Sequence, residues 1–89
     1  MIAFIGLGNI GDQYADTKHN AGFWVVDEAA RRQKLSFEPG KGHYVFARQF
    51  RREFLLVKPT TGMNRSGNAV QEVTQTWNLL PQGLIVVVD

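Results

Sequence analysis

Hydrophobic residues are spaced in two ways along this chain, and each spacing predicts a different kind of element. A short apolar run closed by glycines predicts a buried strand over residues 2–7. Residues 8–17 are polar and broken by glycines, which predicts a loop. Between residues 20 and 34 the apolar positions take a helical period and predict a first helix, with a stripe formed by Phe23, Val26, Ala30 and Gln33.

The middle of the chain predicts a loop followed by a hairpin. Residues 38–42 combine proline and glycine in a way that is typical of a loop. Two runs of strand-like residues follow, at 44–49 and 53–58, and they predict a pair of antiparallel strands. The turn between them, residues 50–52, contains neither Gly nor Asn, so its type stays open.

The last third predicts a second helix and a final strand. After a polar loop over residues 59–67, a helix presents an apolar face and is expected to stop at residues 81–83, where Pro and Gly occur. That face consists of Ala69, Val70, Val73 and Trp77. Residues 84–88 are uninterrupted and mostly β-branched, which is typical of a strand covered on both faces.

This order of elements predicts one α/β domain over residues 1–89, a three-layer arrangement with helices packed on a mostly parallel mixed sheet. Open α/β sheets place ligand and catalytic groups at the carboxyl ends of their strands, and Asp89 follows the last predicted strand. The chain therefore stops where a functional loop would begin, and we interpret it as a truncated domain. A cut sheet leaves an open edge and an uncovered apolar face, so we expect this chain to self-associate.

Composition narrows the possible functions. The chain has 89 residues, 44% hydrophobic and 20% charged, as in one soluble globular domain. It has no cysteine, which excludes disulfides and thiolate catalysis, and its two histidines lack the spacing of a zinc site. No basic leader region or membrane-length apolar run is present, so we expect a cytoplasmic protein with no membrane partner. A net charge of +2 is compatible with a nucleic-acid partner but does not require one.

The glycines that follow the first strand allow a dinucleotide-binding hypothesis. Gly6, Gly8 and Gly11 match the G-x-G-x-x-G pattern of a Rossmann unit, and residues 22–27 can be read as a second strand ending in an acidic residue. Such a unit also needs an apolar-faced helix directly after the glycines. Residues 12–21 offer almost no apolar face. A dinucleotide-binding half-domain therefore remains an alternative with weak support.

Two further segments are ambiguous when each is taken alone. His19 lies in a polar loop near the glycine-rich turn, and a lone histidine is usually a surface residue. In residues 62–67, capping of the second helix is an adequate explanation of Asn64 or Ser66. His43 lies at a strand start with no polar partner nearby in sequence, and it is assigned no role.

Taken together, three ordered segments resemble the bacterial-type peptidyl-tRNA hydrolase family over the whole chain. Residues 6–14 with 17–22 resemble the family's first signature, residues 58–67 its second, and residues 84–89 the strand that leads to its aspartate. The chain departs from the family pattern at Ile10, where proline is usual, and at Gly62, where an aromatic residue is usual. Family members also continue well past residue 89, so the chain resembles their N-terminal half.

The resemblance implies hydrolysis of the ester that joins a peptide to the terminal ribose of tRNA. His19 would be the general base, because histidine takes protons near neutral pH, and Asp89 would orient its ring and stabilise its cation. Asn9 would contact the substrate, and Asn64 would hold the water or the tRNA end. No metal or organic cofactor is implied.

The implied partner is peptidyl-tRNA, and the implied process is the rescue of tRNA for translation. Tyr14 and Gly62 would contact the tRNA end, while basic residues would meet phosphates: Lys18, Lys58 and Arg65. The full-length protein is expected to be a monomer. A relative of the same fold that binds RNA without hydrolysing it would keep the same motifs, so it remains an alternative.

Overall fold

The computed structural model describes residues 1–8, 21–60 and 66–87 of the chain. Within these ranges the strands and helices follow the order that the sequence pattern predicts, with one additional short strand. The elements are β1 (Ile2–Gly6), α1 (Ala21–Arg32), β2 (Glu38–Pro39), β3 (Tyr44–Gln49), β4 (Phe54–Pro59), α2 (Ser66–Trp77) and β5 (Leu84–Val87). No helix in the described ranges is long and apolar enough to cross a membrane.

The described strands form one mixed sheet in the order β2-β3-β4-β1-β5. Strand β1 is parallel to both of its neighbours, so that Ile5 pairs with Val57 of β4 and with Val86 of β5. Strand β3 is antiparallel to β2 and to β4. The carboxyl ends of β4, β1 and β5 therefore lie side by side, at what we call the carboxyl edge. The start of β3 lies at the same edge, because β3 runs in the opposite direction.

Helices cover both faces of the sheet, as the three-layer prediction requires. Alternate strand residues point to opposite faces. Leu55 and Val57 belong to a buried cluster with Ala69 and Val73 of α2, whereas Leu56 between them packs with α1. The α1 side of the core is formed by Val26 and Ala30. The stripe predicted from residues 23–33 is thus the buried face of α1 only in part, because Gln33 is exposed.

The second helix ends earlier than predicted, because a left-handed asparagine ends it. Asn78 has a φ of 53°, and the Leu79 N–H donates to the Thr74 carbonyl oxygen at 3.0 Å. This is the Schellman arrangement, which satisfies the last carbonyls of a helix. The residues expected to stop the helix, 81–83, instead form a short 3₁₀ turn before β5. Lys34, with a φ of 57°, follows α1 in the same conformation.

Two predicted loops contain more structure than their sequences indicate. Within the expected loop 38–42, Glu38 and Pro39 pair with β3 as the short edge strand β2. The predicted β3–β4 hairpin is confirmed, but Glu53, predicted as the first residue of the second strand, lies in the turn with a φ of 51°. A left-handed residue is therefore present in this turn although it contains no glycine or asparagine.

The last strand was predicted to be covered on both faces, and in the described structure it is not. Ile85 and Val86 are 43% and 48% exposed. The reason is its position, since β5 is an outer strand of the described sheet and α1 packs mainly over β1 and β4.

We expect the isolated 89-residue chain to associate through β5, because an edge strand that carries exposed apolar side chains pairs readily with another copy. Light scattering should give a mass above the 10.0 kDa of one chain. Val86→Lys should lower that mass, because a charge on an edge strand opposes pairing. A stable monomer at high concentration would count against this expectation.

Candidate active site

The chain segments that carry the predicted site residues all leave from the carboxyl edge or from the helix packed on it. In sequence, β1 ends three residues before Asn9, β4 ends five before Asn64, and β5 ends two before Asp89. Helix α1 begins two residues after His19. These four residues lie outside the described residues, as do Tyr14 and Gly62. The structure therefore shows the anchors of the predicted site rather than its side chains.

Three of these anchors are in direct contact. The Leu7 N–H donates to the Val87 carbonyl oxygen at 3.0 Å, which joins the ends of β1 and β5. Gly22, in the first turn of α1, packs against the same two residues. A β-carbon at Gly22 would overlap the Val87 carbonyl oxygen and would lie 2.5 Å from the Leu7 carbonyl oxygen. The start of α1 thus meets both strand ends backbone to backbone, and only glycine fits there.

The glycine at the end of β1 has a matching role in packing. A β-carbon at Gly6 would overlap the Gly22 carbonyl oxygen and would lie 2.6 Å from Cγ2 of Val26. Residues 22–27, which a dinucleotide-binding unit needs as a second strand, lie within α1. The Rossmann hypothesis is therefore wrong at its central element.

We expect Gly22→Ala to destabilise the fold by about 1–3 kcal/mol, the usual effect of overpacking, because the added methyl group meets backbone atoms of two strands. Gly67 is the matched control, since it lies in α2 and a β-carbon there would have no atom within 4 Å. Gly67→Ala should be neutral or stabilising, because alanine favours helix over glycine. Urea unfolding of the two variants measures the difference. Equal stability of Gly22→Ala and the parent protein would refute the close contact.

A lysine at the end of β4 is paired within the protein. Lys58 Nζ lies 2.6 Å from Asp27 Oδ1 of α1 and 4.3 Å from the centre of the Phe37 ring. Because its ammonium is paired with Asp27 and lies over the Phe37 ring, Lys58 joins β4 to α1, and its expected contact with a phosphate stays a prediction. Lys18 and Arg65 lie outside the described residues. Beside Lys58, a hollow of about 170 Å³ is lined by Phe23, Val45, Lys58, Pro59 and Thr60.

The histidine that sequence reasoning set aside has a carboxylate partner. His43 Nδ1 lies 2.8 Å from Glu72 Oε1, and the His43 N–H donates to Glu72 Oε2, also at 2.8 Å. These contacts, with the His43 hydrogen bond foremost, lower the pKa of Glu72 below its ordinary value. The two residues are 29 positions apart, so no local pattern could pair them. Strand pairing brings His43 to the end of β4, where the Thr60 N–H donates to its carbonyl oxygen at 2.9 Å, but this pairing does not identify Glu72 as the partner.

In the described ranges, no three His, Asp or Glu side chains come together as a possible metal site. The described part of the carboxyl edge thus offers one imidazole held by a carboxylate, one internally paired lysine, and strand ends in tight contact with the start of α1. Its geometry suits a site assembled from loops that leave parallel strands.

The sequence has clear relatives. A family model described as peptidyl-tRNA hydrolase matches residues 3–89. The peptidyl-tRNA hydrolase of Mesomycoplasma hyopneumoniae is 40% identical over 89 residues, which is all of this chain and 47% of that protein. The peptidyl-tRNA hydrolase of Thermodesulfovibrio yellowstonii is 46% identical over 92 aligned positions, again covering the whole chain and 49% of the relative.

The fold has matching solved structures. The crystal structure of peptidyl-tRNA hydrolase from Acinetobacter baumannii superposes with a TM-score of 0.88 at 32% identity, over 97% of this chain and 45% of that one. The chain thus spans about half the length of the relatives it matches. On its sequence and its fold, this chain belongs to the peptidyl-tRNA hydrolase family.

Proposed function

We propose that the protein containing this chain hydrolyses the ester bond between peptide and tRNA in peptidyl-tRNA, and so returns tRNA to translation. Family membership supports the reaction, and the carboxyl edge supports the assignment of residues. The observation that carries this assignment is the contact of Gly22 with both Leu7 and Val87. It brings together the segments that lead to His19, Asn9 and Asp89.

Chain length limits how far His19 and Asp89 can be from this contact. A chain extends by at most about 3.6 Å per residue, so each residue lies within about 7 Å of its anchor, Ala21 or Val87. Gly22 packs against the Val87 carbonyl, so the two anchors are neighbours. The side chains of His19 and Asp89 are therefore within reach of each other. We therefore assign the Asp89 carboxylate as the acceptor for the imidazole N–H of His19.

In the reaction we propose, neutral His19 takes a proton from water, and the water oxygen bonds to the ester carbonyl carbon. The bond from that carbon to the ribose oxygen then breaks, and the imidazolium returns the proton to the leaving oxygen. The products are a peptide acid and tRNA with a free terminal hydroxyl. Asp89 stabilises the imidazolium and fixes the ring tautomer, as the aspartate does in a Ser-His-Asp triad.

Neutral side chains would bind the substrate beside this pair. Asn64 holds the water or the tRNA end, and Asn9 contacts the peptide ester, because an amide donates and accepts hydrogen bonds without competing for the water's proton. Tyr14 and the backbone at Gly62 line the path of the tRNA end. The absence of an aromatic side chain at position 62 makes that contact weaker than in relatives that have one.

The test is turnover by the full-length protein of a tRNA that carries an N-acetylated aminoacyl group, a minimal peptidyl-tRNA. We expect release of the acylated amino acid, and much slower release from the same tRNA carrying a free aminoacyl group. Binding of the substrate with no release would indicate an RNA-binding relative and would refute the proposal.

A further inference from the structure

Three hydrogen bonds meet at the start of β3 and form what we call the His43 brace. The Thr60 N–H donates to the His43 carbonyl oxygen at 2.9 Å. The His43 N–H and its Nδ1 each lie 2.8 Å from one oxygen of the Glu72 carboxylate. One residue at the edge of the sheet is thus tied to the end of β4 through its carbonyl and to α2 through its N–H and its ring.

The brace joins the two described elements that flank Asn64 in the sequence. Thr60 is the last described residue before that segment, and α2, which contains Glu72, is the element that follows it. Glu72 lies in the second turn of α2, six residues after Ser66. The end of β4 and helix α2, which flank residues 61–65 in the sequence, are therefore both hydrogen-bonded to His43.

The carboxylate fits closely in this position. A β-carbon at Gly42 would overlap Glu72 Oε2, so the glycine leaves the room that the carboxylate occupies. Glu72 is 26% exposed and the His43 ring 67% exposed, so water screens the pair and its charge alone contributes little. What the brace supplies is geometry, because two bonds from one carboxylate tie α2 to the residue that precedes β3.

We infer that His43 and Glu72 are positioning residues for the proposed role of Asn64, because they tie together the end of β4 and helix α2, the two elements that flank residues 61–65. This inference rests on the proposed function of Asn64. It differs from a catalytic role, because neither residue of the brace is required to touch the substrate. The reason for the expected effect is that misplacement of a reacting group by about 1 Å can lower a rate about a hundredfold.

The experiment is a set of turnover measurements on the full-length protein with the acylated tRNA described above. Glu72→Ala removes both bonds from α2 and should lower kcat about 10–100-fold, with a smaller change in KM. Glu72→Gln keeps one carbonyl acceptor and should recover part of the loss. His43→Ala keeps the backbone bond and should have a smaller effect than Glu72→Ala.

The matched control is Glu28→Ala. Glu28 also holds its basic partners by side-chain hydrogen bonds, at 2.9 Å to Arg32 Nε and to Arg31 Nε, but it lies on α1, which packs on the other face of the sheet. Turnover by Glu28→Ala should equal that of the parent protein.

The decisive comparison is made in an Asn64→Ala background, where Glu72→Ala should cause no further loss, because the group that the brace positions is already absent. An equal loss in both backgrounds would show a merely structural effect and would overturn the inference. Full turnover by Glu72→Ala, or by Asn64→Ala, would also overturn it, while hydrolysis by the parent protein would still support the proposed function.

Discussion

Replacing His19 by alanine in the full-length protein is expected to lower kcat for peptidyl-tRNA about 10²–10⁴-fold, the usual contribution of a general base. Without the imidazole, water must attack the ester with no side chain positioned to take its proton. Substrate binding should change little, because the tRNA contacts are made by other residues. Single-turnover release of the acylated amino acid at neutral pH measures this effect directly.

The matched control for this prediction is the other histidine of the chain. His43→Ala should lower kcat far less than His19→Ala, since we assign His43 a positioning role rather than a catalytic one. This comparison is informative because the Nδ1 of His43 is held by a carboxylate, as in a catalytic triad. If His19→Ala retained the parent rate and His43→Ala lost it, the base would be His43 and our assignment would be wrong.

Asp89→Asn is expected to lower kcat about 10²–10⁴-fold. The loss should be near 10⁴-fold if the amide favours the wrong tautomer of the His19 ring, as in serine-protease triads. An amide cannot stabilise the imidazolium that forms during the reaction. For the same reason, the rising limb of the pH–rate profile should move to lower pH in this variant, because the charged imidazole loses a negative neighbour.

A second carboxylate tests whether the loss is specific to position 89. Glu38 is exposed on the short outer strand β2, away from the ends of β1 and β5. Glu38→Asn should leave both the rate and the pH profile as in the parent protein. An Asp89→Asn variant with unchanged turnover would remove the carboxylate from the mechanism.

The elements of the core follow from the hydrophobic pattern because each buries one face. In α1, Val26 and Ala30 are four residues apart and buried, and in α2 the same holds for Ala69 and Val73. The errors occur where burial does not decide the structure. Asn78 ends α2 by adopting a left-handed conformation that many residues avoid. Strand β2 has two residues, both exposed, so no pattern marks it.

The candidate site was predicted from motifs rather than from periodicity, for a physical reason. Catalytic groups lie in loops, where side chains meet only after distant strands pair, so spacing along the chain cannot reveal their contacts. The His43–Glu72 pair illustrates this limit, since its partners are 29 residues apart. The glycines behave differently. Gly6 and Gly22 are required by close backbone contact, and a Rossmann pattern was the wrong interpretation of Gly6.

The central claim is that the ends of β1 and β5 and the start of α1 bring His19 and Asp89 together. The measurement that tests it most directly is the distance between the His19 ring nitrogens and the Asp89 carboxylate oxygens in a crystal structure of the full-length protein. The account predicts one distance of about 2.7–3.2 Å, a hydrogen bond. A separation greater than about 8 Å, far outside hydrogen-bond reach, would contradict it.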